Sequence, residues 1–179
     1  MKNTSYRVAL GGIVSALCLV TMFLAGVMPA LYLLLPMIAG VLLMIIAIEV
    51  NQGWALLTYL SVSLLSVFVT FDKEAALIFI LFFGHYPILR MNIQKIRLTL
   101  LRRAVKFVVF NACTLIYFFA TVYLLGMDEM IEEMNDIGRY GSYVMLGLAN
   151  FVFILYDYNL DFVYALYRKR LMPKFRKKR

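Results

Sequence analysis

The sequence predicts an all-α integral membrane protein: one transmembrane domain, 1–179, built as a six-transmembrane-helix bundle with both termini cytoplasmic. Three observations carry that expectation. Hydrophobic residues make up 64% of the 179 residues, with a mean hydropathy of +0.85, against roughly 45–50% apolar content in soluble domains. Uncharged runs long enough to cross a bilayer, about 20 residues at 1.5 Å each, recur along the chain. The formal net charge of +8 is clustered, so it sorts the connections between spans into two sides.

The first helix is expected over 8–28, after the short basic start Met1–Arg7. A basic start before an apolar run is also the pattern of a signal peptide. Apolar sequence continues past Pro29 to Ile48, however, and no small-x-small cleavage pattern stands between them. A run from Val8 to Ile48 is too long for one span, so it folds back, and Pro29 marks the turn. Ala9, Gly12 and Ala16 fall on one face of the first helix, flanked by Gly11 and Ser15. Small residues let another helix backbone approach closely, either within the bundle or as the docking face of a partner.

The second helix, 31–48, ends at Glu49–Gly53, and Trp54 is an interfacial anchor before the third, 55–71. Ser63, Ser66 and Thr70 share a face of that third helix. Hydroxyls in membrane helices bond their own backbone or a neighbour, so packing is the default reading. The turn Asp72-Lys73-Glu74 leads into a short fourth helix, 75–89.

The segment Phe82–Arg90 holds the chain's single His, His85, together with Pro87. It reads as the cytoplasmic joint between two halves of the bundle. Arg90 to Arg103 then reads as a basic interfacial segment between the fourth and fifth helices: Ile93, Ile96, Leu100 and Leu101 are apolar, while Arg90, Lys95, Arg97, Arg102 and Arg103 are basic. Such a segment lies among headgroups and favours anionic membrane lipids. The fifth helix is expected over 104–126. Met127 to Arg139 carries Asp128, Glu129, Glu132, Glu133 and Asp136, with Met127, Met130, Ile131, Met134 and Ile137 at helical spacing. It reads as an acidic extracellular surface helix. The sixth helix, 142–166, gives way to a basic tail, 167–179.

With both ends inside, sixteen basic residues lie in cytoplasmic segments, and only Lys73 and Arg139 lie outside. That is a strong positive-inside bias. On the sixth helix, Tyr143, Asn150, Asp157, Asp161 and Arg168 form one stripe. Asp157 and Asp161 fall at the cytoplasmic depth of His85, Arg90 and Lys106, which points to an ion-pair or coupling network. A proton relay through His85 and Asp157 is the sharper alternative, because His titrates near neutrality.

Enzyme chemistry finds no support. There is no Cys/His metal spacing, no phosphate-binding glycine loop, and no nucleophile beside a His with an orienting acid. Cys18 and Cys113 sit in apolar runs and read as small buried hydrophobes. No metal and no cofactor is expected. The acidic connection reads as a solvated face, and the basic tail reads as lipid-binding rather than nucleic-acid-binding.

Six helices in this length, both ends cytoplasmic, the small-residue face Ala9, Gly12 and Ala16, and a polar outer connection between the last two helices together resemble the S components of energy-coupling factor (ECF) transporters. The resemblance implies a membrane subunit that captures a vitamin or similar micronutrient from outside and docks on a T component powered by two ATPases. It implies ligand binding near the outer ends of the last helices, with Tyr123, Tyr143 and Asn150 as candidates. The chain departs from the family's alanine-rich docking motif, with Gly12-x-x-x-Ala16 in place of AxxxA, and it lacks the metal-type N-terminal Met-His. Cell-shape scaffold proteins of the MreD type are similar in size and helix count. They imply the alternative, a non-enzymatic assembly protein of the cell envelope.

Overall fold

Pro29, the Asp72 turn and the Gly84–Pro87 joint interrupt the apolar sequence, and a computed structural model shows what each interruption does. It describes residues 4–126 and 140–171, among which every regular element is helical. The chain divides into two compact units, Met1–Ile131 and Glu132–Arg179.

In the first unit, α1 spans Thr4–Val27 and a single 3-10 turn, Pro29–Leu31, reverses the chain into α2, Leu34–Glu49. The turn forms where Pro29 removes a backbone donor from a continuing helix. Helix α3 runs over Gln52–Val69, opened by Asn51, whose side-chain oxygen accepts from the Trp54 N–H at 2.8 Å. That cap satisfies one of the orphan donors of a helix N-terminus. It starts α3 three residues earlier than expected, so Trp54 lies inside its first turn. Thr58, Ser61 and Ser66 donate to carbonyls of their own helix, as hydroxyls in an apolar setting are expected to do.

The fourth span differs from the short helix that the sequence suggests. It is continuous over Lys73–Ile93, with α4 at Lys73–Ile78, a π-helical turn at Phe79–Phe83 and α5 at Tyr86–Ile93. Asp72 caps it by accepting from the N–H groups of Glu74 and Ala75 at 2.9 and 3.1 Å. Pro87 does not end the span, because it falls in the first turn of α5, where a missing N–H costs no helical bond.

The basic stretch is corrected as well. Arg90 to Arg103 is not a separate interfacial element. Arg90–Ile93 completes α5, a turn follows, and Thr99–Arg103 already belongs to α6, Thr99–Leu125. Arg90 is only 3% exposed, so it is a packed residue and not a surface marker. Gly126, at φ 64°, ends α6 in the left-handed conformation that glycine adopts without strain.

The second unit contains α7, Gly141–Leu166, which continues into a π turn at Tyr167–Leu171. Phe153, Tyr156, Leu160 and Tyr167 are its buried hydrophobic positions, and Gly141 is buried at its start. The expected acidic surface helix over 127–139 and the end of the basic tail, 172–179, lie outside the described residues.

By length and composition five of these helices can cross a membrane: α1, α3, the span Lys73–Ile93, α6 and α7 with its extension. Helix α2 is apolar but, at 16 residues, reaches only about 24 Å. Among the described residues the regular structure is therefore all helical, and its helices have the length and composition of a multi-pass membrane protein.

Helix α1 packs against α2 and α3 through Val14, Cys18, Met22 and Ala25. Near its end a Cβ on Gly26 would lie 2.8 Å from the Phe71 nitrogen and 3.1 Å from the Asp72 nitrogen. Backbone cannot yield as a side chain can. Gly26→Ala is therefore expected to lower stability by about 1–3 kcal/mol. Gly12→Ala, whose Cβ meets no atom within 4 Å, should be neutral or slightly stabilising. Melting temperatures of the two variants in one detergent decide it.

Candidate functional site at the fourth span

Of the membrane-length helices, the fourth span is the most enclosed: 56% of its most apolar window is buried, against 17–28% for the other four. Its centre is the joint around His85. There Pro87 has no N–H to offer the Phe83 carbonyl, and its ring would crowd that carbonyl in a straight helix. The helix widens instead. The Gly84 N–H donates to Phe79 O at 2.8 Å, and the Ile88 and Leu89 N–H groups both donate to His85 O.

This rerouting leaves a carbonyl open. In an α-helix the Gly84 N–H would serve Ile80 O; here the Tyr59 hydroxyl, from α3, donates to Ile80 O at 2.6 Å. The His85 ring lies within hydrogen-bonding reach of the same carbonyl and faces the Tyr59 ring at 5.9 Å between centroids. The Tyr59 ring fills the space above Gly84, where any Cβ would fall 2.5 Å from Tyr59 Cε2. Phe82 stacks on Tyr86 at 4.6 Å and meets Phe110 of α6 edge-on at 5.2 Å. The joint thus locks α3 and α6 onto the fourth span. π turns of this kind occur often at functional sites.

The residues expected to form a coupling network are distributed between the two units. His85 is half-buried, while Arg90 and Lys106 are 3% and 7% exposed on α5 and α6, which pack together. A cation held that far from water needs compensating partners. Asp157, half-buried, and Asp161, exposed, belong to α7 in the second unit.

Among the candidate ligand residues, Tyr123 of α6 is 81% exposed and Tyr143 of α7 is 75% exposed. Asn150 donates to Leu146 O, one turn back in its own helix, at 2.9 Å. Ala9, Gly12 and Ala16 are exposed on α1, with Gly11 turned toward Thr58. Tyr59 is the residue that sequence reasoning misses, because one tyrosine in an apolar run carries no periodic or motif signal. The pointer is indirect: a glycine two residues before an aromatic–proline pair asks what packs on it.

No protein-family model, curated protein or solved structure matches the chain.

Tyr59→Phe removes the hydrogen bond to Ile80 O and is expected to cost about 1 kcal/mol. Gly84→Ala forces the ring away and should cost about 1–3 kcal/mol. Because the two side chains occupy one space, Tyr59→Leu in the Gly84→Ala background should recover part of that loss. Additive losses in a double-mutant cycle would show that the contact does not hold the joint.

Proposed function

We propose that this chain is the substrate-binding membrane subunit of a transporter of the energy-coupling factor S-component type. In this reading it sits in the plasma membrane with both termini inside, captures a small micronutrient from outside, and docks through α1 on a transmembrane T component driven by two ATPases. It performs no catalysis itself. The strong inward bias of Lys and Arg supports the orientation, and that basic face favours anionic lipids.

One observation carries the docking role. The face of α1 bearing Ala9, Gly12 and Ala16 is exposed over two turns, while Val14, Cys18, Met22 and Ala25 fill the inner face. With no atom within 4 Å of a Cβ at Gly12, a second helix can approach the backbone there. Helices associate in lipid through such close approach rather than through hydrophobicity, since lipid tails are as apolar as leucine.

A second reading, the non-transporting envelope scaffold, is favoured by the outward exposure of Tyr123 and Tyr143. Tyrosines so placed suit interfacial anchoring better than the lining of a concave ligand site.

The two readings separate in a gentle-detergent pull-down of the tagged chain from its own membranes, followed by mass spectrometry. The transporter reading expects co-recovery of a T component with its ATPase pair, reduced about tenfold or more by Gly12→Leu or Ala16→Leu. Recovery of cell-envelope proteins without ATPases would move the scaffold to first place.

A further inference from the structure

The wide turn of the fourth span does not lie where its cause lies. Pro87 has no N–H for the Phe83 carbonyl, and its ring crowds that carbonyl in a straight helix. Relief of that clash alone would put the wide turn against the proline, over Phe83–Pro87. It stands earlier instead, at Phe79–Phe83, with the Gly84 N–H on Phe79 O at 2.8 Å. A restraint from outside the span holds it there.

Tyr59 is that restraint. Its hydroxyl occupies Ile80 O at 2.6 Å, the acceptor that the Gly84 N–H takes in a regular α-helix. Without it, the Gly84 N–H can return to Ile80 O and pass the extra residue on toward Pro87. A wide turn costs least there, because the proline has no N–H to lose. The hydrogen bonding next to Pro87 is already shared, with the Ile88 and Leu89 N–H groups both on His85 O. A departing Tyr59 hydroxyl also has somewhere to go: the buried Ser63 hydroxyl lies within its reach, one turn on along α3.

We propose that the wide turn is a two-position device latched by Tyr59, and that its shift toward Pro87 swings Phe82 away from α6. Passing one residue through the segment between the two positions turns that segment by about 100° and moves it about 1.5 Å. Residues on either side keep their places. Phe82 lies inside the segment, so its stack on Tyr86 at 4.6 Å and its edge-on contact with Phe110 at 5.2 Å both break. Release at α3 is thereby felt at α6, while the Asp72 cap and the enclosed Arg90 stay as they are. The device goes beyond the transporter reading and does not depend on it.

The test is fluorine NMR of the purified full-length chain in lipid nanodiscs, with para-fluorophenylalanine in place of Phe82. A second sample carries the label at Phe68, which is 84% exposed on α3 and serves as control. Exchange-saturation spectra of the otherwise unchanged chain should reveal a minor form at Phe82, populated at roughly 1–10%, and none at Phe68. Tyr59→Phe deletes the latching hydroxyl and should raise that population about fivefold. The His85 ring, within reach of the same carbonyl, stays behind and limits the gain. If Tyr59→Phe fails to fold, the spectra of the unchanged chain decide alone. A single form at Phe82 throughout overturns the proposal. So does a minor form that appears equally at Phe68, or one that does not grow when the hydroxyl is removed.

Discussion

The first unit is organised around a single rerouted hydrogen bond. When the Gly84 N–H turns to Phe79 O, Ile80 O is left open inside a membrane-spanning segment, where an unsatisfied carbonyl is costly. Tyr59 of α3 supplies the missing donor, and its ring occupies the space that only a glycine leaves free. The polar bond and the steric fit require each other. Remove the glycine and the ring is forced away with its hydroxyl; remove the hydroxyl and Ile80 O keeps only the His85 ring within reach. Because Phe82 extends the same joint to Phe110, the arrangement of α3, the fourth span and α6 follows from this local exchange.

The other end of the first unit is set by a different constraint, the close approach of α1 to backbone at Gly26. This contact pins the Asp72 turn, and with it the cap of the fourth span, against the end of α1. Packing at one glycine positions a cap, much as packing at another positions a hydroxyl. In a chain this apolar, the few polar groups are placed by the shape of the helices around them.

The helical class, the fold-back at Pro29 and the apolar spans were legible in hydropathy and proline placement. The length of the fourth span was not. Pro87 and Arg90 look like the signals that end a helix, and only tertiary structure shows that one is absorbed into a first turn and the other buried. A charge reads as surface in any one-dimensional pattern, because the partners that allow burial lie far along the chain. Asp72-Lys73-Glu74 was legible as a boundary, but not Asp72 as the cap that starts the fourth span.

The π turn also constrains how this segment can tolerate a change of length. An extra residue accommodated at Phe79–Phe83 turns everything beyond it by about 100° relative to an unbroken helix. Loss of any one residue there would let the Gly84 N–H return to a carbonyl four residues back, yet it would carry Arg90 out of its enclosed position and onto another face. Local regularity and global fit pull in opposite directions at this point. Homologous segments should therefore vary in composition around the joint far more readily than in their number of residues.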